Sequence, residues 1–175
     1  MDLKFLRPLG AVALTLTALM TGLQPATADG GDRKETIHIM LLDIYNHEGK
    51  TDLAAGELKA LIALKPNDAL LHGQLGRMLA KRSEFKAAIA QFLISTKNDP
   101  TNAEYWGNLG TCYMQTVSYS AAVTAYTKAV TLQRQGGTDW RPNLGVAQQY
   151  VQHDQQIKEY NIQQKKQKKD AEDDN

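Results

Sequence analysis

The sequence predicts an all-α fold, a solenoid of helix-turn-helix repeats, and three observations predict it. Pro66 and Pro100 stand 34 residues apart. In the frame they set, windows 35–68, 69–102 and 103–136 carry apolar and small residues in register, and a fixed period of this length marks a stacked helical array. Within each window the apolar positions recur three, four and seven residues apart, the spacing that puts side chains on one helix face.

Taken in order, the chain opens with a segment that does not belong to the fold. Lys4 and Arg7 precede an uncharged run at 9–23, which is short for a membrane span and of the length of a signal peptide's apolar core. Ala26 and Ala28 then form a small-residue cleavage site before Asp29. Residues 1–28 are therefore expected to be a secretion signal, which places the mature protein in the periplasm or outside the cell, with no stable membrane insertion once the signal is removed. Residues 29–34 are a short linker. Without Lys4, Arg7 and Asp2, the 20 basic and 19 acidic residues fall to 18 of each, so no global field exists to attract nucleic acid. The single cysteine, Cys112, forms no internal disulfide, and packing alone must stabilise the fold.

Each window splits into two amphipathic helices, at 36–48 and 52–64 in the first. The seventh place holds Leu41, Leu75 and Leu109; the eleventh holds Tyr45, Leu79 and Tyr113. On the same face lie His38, His72 and Trp106, then Ile44, Met78 and Cys112. In the second helices Ala54, Ala88 and Ala122 recur, followed four residues later by Leu58, Phe92 and Tyr126. No helix buries such a stripe alone, so stacking must supply a continuous core, for which three units are about the minimum. Pro66 and Pro100 end helices, and Thr101 with Glu104 reads as a capping box. Gly136-Gly137 reads as a helix stop. Asp139 is placed to cap a final helix over 137–162, with Pro142 in its first turn; Leu144, Ala147, Tyr150, Val151, Ile157 and Tyr160 give it an apolar stripe. Residues 163–175, a basic block followed by an acidic one, are expected to be disordered.

Over residues 35–136 the chain resembles the tetratricopeptide repeat (TPR) family. The third unit carries the resemblance most fully in Trp106, Leu109-Gly110, Tyr113, Tyr119, Ala122, Tyr126 and Ala129, with Arg134 in place of the closing proline. The second keeps Leu75-Gly76, Phe85, Ala88, Phe92 and Pro100. The first keeps Tyr45, Gly49, Ala54 and Pro66, but Leu42 stands where the family has a small residue. The resemblance implies a right-handed solenoid whose first helices line a concave groove for protein or peptide partners. It places Asp43, Arg77 and Thr111 in one row of that groove and His47, Lys81 and Gln115 in the next. A third row is Ile39, Gly73 and Gly107, where two glycines would leave backbone open to a ligand. The groove is polar and basic at its middle, suited to an acidic side chain or a terminal carboxylate. The family's clamp for chaperone tails needs lysine, asparagine and arginine at set places. Ile39, Asp43, Gln74, Glu104 and Asn108 occupy them here, so that use is not expected.

Catalysis is not expected either. No G-x-S-x-G, H-E-x-x-H, Walker or dinucleotide-type glycine motif occurs. His38, His47, His72 and His153 have no close pairing suited to a metal, and no cofactor is implied. Cys112 shares its register with Ile44 and Met78, as a small core residue does, and Trp106 with Tyr113 reads as core. Lys165, Lys166, Lys168 and Lys169 precede acids at once and read as solvated tail. The expected function is thus that of an exported interaction module or scaffold in a cell-envelope process. A self-associating structural protein, or an enzyme with an unrecognised site, are the alternatives; the sequence does not set the oligomeric state.

Overall fold

The computed structural model describes residues 30–133 and 137–173. The expected secretion signal at 1–28, and the place of Arg134, lie outside the described residues. Two compact units divide the chain, at 1–37 and 38–175. Among the described residues there are seven helices and no strand: α1 Gly30–His47, α2 Thr51–Leu64, α3 Ala69–Lys81, α4 Phe85–Asn98, α5 Ala103–Gln115, α6 Tyr119–Leu132 and α7 Arg141–Asp173. From α3 onward each helix packs on its chain neighbour, and α3 also meets α5, the contact that makes a stack rather than a string of hairpins.

A large residue against a small one sets the spacing inside each unit. A Cβ on Gly76 would fall 3.0 Å from the Phe92 ring, and one on Gly110 2.8 Å from Tyr126. Helix pairs α3/α4 and α5/α6 therefore approach closely because each aromatic lies flat on a glycine. The first unit reverses the sizes. Leu42 replaces glycine and Leu58 replaces the aromatic, and Leu42 packs on the cluster of Ala55, Leu58 and Leu75. Below these pairs Ala54, Ala88 and Ala122 are fully buried. The α1 helix has no buried residue.

The turn within each unit is built the same way three times. Gly49, Ser83 and Val117, spaced by 34, all take left-handed φ values of 70°, 62° and 59°. Their N–H groups donate to Asn46, Ala80 and Met114 at 3.3, 3.0 and 3.1 Å. The next residues, Lys50, Glu84 and Ser118, donate to Tyr45, Leu79 and Tyr113 at 2.8, 2.9 and 2.9 Å. This is the Schellman ending, which favours glycine at the left-handed place. A β-branched side chain resists that conformation, and Val117 is 66% exposed, so contacts compensate little. Val117→Gly is expected to stabilise the fold by roughly 0.5–1 kcal/mol, the relieved strain outweighing glycine's greater freedom when unfolded. A higher urea midpoint would bear this out; a lower one would mean that the isopropyl group is held in place.

Residues 30–34, expected to be linker, are instead the opening turns of α1, and further local expectations are corrected. Thr101 does not form a capping box: its N–H and hydroxyl bind the Asp99 carboxylate at 3.2 and 2.8 Å. Asn102 caps α5 instead, accepting from the Glu104 N–H at 3.1 Å. The α6 helix stops at Leu132, before the expected Gly136-Gly137, of which Gly136 lies outside the described residues. Finally, α7 does not end near residue 162 but runs on to Asp173, through the segment expected to be disordered. After Gly145 the chain offers no glycine or proline to stop a helix, and its Gln, Lys, Ala and Glu residues are good helix formers. Asp139, expected as the cap of α7, stands one place before it: the Trp140 carbonyl accepts the first bond, from the Leu144 N–H at 3.0 Å. Asp139 accepts from the Arg141 backbone at 3.1 Å and pairs with the Arg141 guanidinium at 2.9 Å, which holds its carboxyl down at about 2.

Candidate binding groove

First helices α3 and α5, with the start of α7, carry the candidate surface, and the rows drawn from the sequence divide into open and covered ones. Arg77 and Lys81 are exposed on α3 and make no ion pair among the described residues. By contrast Arg82, one residue on, is engaged by Asp52 and, at 2.7 Å, by Glu84. On α5 Gln115 is exposed, Asn108 is half-buried, and half-buried Thr111 donates to the Gly107 carbonyl at 3.1 Å and shares a 3.0 Å bond with the Tyr126 hydroxyl. In the first unit Asp43 and His47 are exposed and face each other across one turn at 3.9 Å. Ile39 is 49% exposed.

The glycine row is a correction. Gly73 and Gly107 are buried, and their backbone is not open to a ligand. The Tyr105 ring lies over Gly73 and the Trp140 ring over Gly107, each closer than a Cβ would allow. Glycine is required here because an aromatic ring of the following unit presses on the helix backbone. Half-buried Tyr105 and buried Trp140 thus cover the peptide at these places. Burial raises the Tyr105 hydroxyl above its ordinary pKa, Asp99 adds to this, and the Arg77 charge opposes it. Arg77 and Tyr105 therefore feel each other's field within one patch.

The fourth place of each repeat makes structural hydrogen bonds. Nε2 of His72 donates to the Pro66 carbonyl at 2.9 Å while Nδ1 lies 2.8 Å from the Gln91 side-chain amide. In the next unit Trp106 Nε1 donates to the Pro100 carbonyl, also at 2.9 Å. Both rings thereby hold the proline that closes the unit before. His38 instead meets Glu57 at 2.6 Å. Cys112 lies in the core with Ala88, Phe92, Leu109 and Ala125, and burial pushes its thiol up to about 11, disfavouring the thiolate a nucleophile needs.

Sequence reasoning missed a cleft of about 280 Å³ where α7 closes the surface. Thr111, Met114 and Gln115 of α5, Tyr126 of α6, and Pro142, Asn143 and Val146 of α7 line it. Trp140 stacks on Tyr126 with centroids 6.0 Å apart and joins α7 to the third unit. Trp140 stands one further 34-residue step beyond Trp106, and that spacing was the available signal that α7 continues the repeat geometry.

With its repeats and their packing described, the chain belongs to the tetratricopeptide repeat family, whose profile matches residues 39–103 and 74–137, more than half of its length. A relative, the tetratricopeptide repeat-containing protein trd-1 of Caenorhabditis elegans, is 24% identical over 150 residues, covering 70% of this chain. The chain spans 19% of that relative's length. Among solved structures, the MamA protein superposes with a TM-score of 0.63 at 24% identity, over 73% of this chain and 70% of that one. The first TPR of Spaghetti (RPAP3), bound to an HSP90 peptide, gives 0.61 at 13% identity, over 73% and 98%. These two likenesses are of fold. Among the described residues no helix is long and apolar enough to cross a membrane.

Proposed function

We propose that this chain is an exported interaction module that binds a segment of a partner protein along α3, α5 and the start of α7, in a cell-envelope process. One observation carries the reading: Arg77 and Lys81, a turn apart and without carboxylate partners among the described residues, share their phase with Thr111 and Gln115 on the next first helix. An acidic side chain of a partner is the complement of such a patch. Export, to the periplasm or the outside, rests on the signal-like residues 1–28. The mechanism is binding rather than catalysis. The bound HSP90 peptide of the RPAP3 domain is not carried over as a ligand, because Ile39, Asp43, Gln74, Glu104 and Asn108 occupy the places of a chaperone-tail clamp and leave it without its cations.

Reversing both charges, Arg77→Glu with Lys81→Glu, is expected to weaken capture of partner from envelope extract by about 10- to 100-fold, since like charges then face the ligand. Both side chains are exposed, so the fold should survive, as circular dichroism would verify. Undiminished capture would remove the groove assignment.

A second reading, self-association, is favoured by one observation. Beyond the repeats α7 exposes Ile157, Tyr160 and Ile162, at 45%, 61% and 66%. Light scattering over a concentration series separates the two, because only self-association predicts a mass that rises with concentration.

A further inference from the structure

We infer that the cleft between α5 and α7 is a pocket for one apolar side chain, so that the groove selects peptides carrying an acidic residue and a large apolar residue about three to five positions apart. The inference rests on the groove reading above and adds the ligand's second anchor. At about 280 Å³ the cleft has room for one large apolar side chain. Buried Tyr126 forms its base, its hydroxyl already engaged by Thr111. Met114, Pro142 and Val146 give apolar walls, with Val146 46% exposed although it has the chemistry of a core residue. Gln115 brings an amide to the rim, able to hold the backbone of an extended segment.

Spacing follows from the repeat. Thr111 and Gln115 line the cleft, and Arg77 and Lys81 hold the same repeat places on α3, the helix that α5 contacts. Packed helices lie about 8–10 Å apart, and an extended chain advances about 3.3 Å per residue, so about three residues cross from the basic pair to α5. Reaching the far wall on α7 takes up to about two more. A carboxylate and an apolar group at that separation satisfy both features together; a free carboxylate alone leaves Val146 and Met114 in water.

The probe is a set of labelled twelve-residue synthetic peptides in a Gly/Ser background, each with one Asp-Glu pair and one leucine at separations from one to nine, titrated by fluorescence anisotropy. Binding is expected to peak at separations of three to five and to weaken about tenfold or more when the leucine becomes alanine. Val146→Asp, at an exposed place that the fold tolerates, should abolish the leucine preference and leave the acid dependence. Arg77→Glu with Lys81→Glu should abolish the acid dependence. Acid-dependent binding without a preferred leucine position, or a leucine preference that survives Val146→Asp, overturns the pocket and leaves the groove standing. Absence of binding throughout, or binding indifferent to Arg77 and Lys81, overturns both.

Discussion

Replacing Phe92 by alanine is expected to lower stability by about 3–5 kcal/mol, the range for emptying a buried aromatic site. The ring is 1% exposed, lies across Gly76 and packs with Ala88, Leu109, Cys112 and Ala125, so it joins the second unit to the third. Collapse into the space is limited, because Gly76 on one side and Ala88 on the other carry nothing that can extend into it. A domain of this size holds only about 5–15 kcal/mol in total, so the variant should sit near its folding threshold. Urea unfolding followed by circular dichroism measures the loss. Phe92→Leu, which keeps most of the volume, should cost less than half as much. Equal losses for the two would mean that ring shape, not filled volume, sets the spacing.

Gly107→Ala should destabilise by about 2 kcal/mol, against the intrinsic preference of helices for alanine. Within α5 the exchange would gain up to about 1 kcal/mol from helix propensity alone. The new methyl, however, enters the space of the Trp140 ring, and overpacking of this kind costs about 1–3 kcal/mol or more. Trp140 is 7% exposed, covered by the third unit and α7, and has little room to retreat. Gly145→Ala is the control: nothing lies within 4 Å of a Cβ there, and a gain of up to about 1 kcal/mol is expected. In a Trp140→Ala background Gly107→Ala should lose its cost. Additive losses would show that the ring does not bear on the glycine.

The repeat frame was legible because the same residue types recur at a fixed 34-residue interval. Positions 54, 88 and 122 repeat alanine, and all three are fully buried; Leu58, Phe92 and Tyr126 follow four residues later, each 1% exposed. The second helix of the first unit, expected over 52–64, is Thr51–Leu64. Less legible were features decided between units or between equivalent local choices. Gly73 and Gly107 read as open backbone, because the rings that cover them lie 32 and 33 residues downstream and reach them only when the next unit docks. Thr101 and Asn102 are both good N-caps, and only the engagement of Thr101 by Asp99 decides between them. The left-handed turn was signalled by Gly49 but hidden at Ser83 and Val117, where the hydrogen bonds of the motif impose it on residues that disfavour it. Of the candidate groove, the sequence placed Arg77, Lys81 and Gln115 on an exposed face. The cleft beside them was not readable, since three of its seven lining residues come from α7, whose docking depends on Trp140 finding Gly107.

Site-specific photocrosslinking in intact cells tests the binding face most directly, with a photoreactive residue at Gln115 in one strain and at Lys128, exposed on α6, in another. Mass spectrometry is expected to find a discrete partner adduct from position 115 that is lost when Arg77 and Lys81 are reversed, and none from position 128. Equal adducts from both positions, or an adduct from α6 alone, would contradict the groove as the working surface.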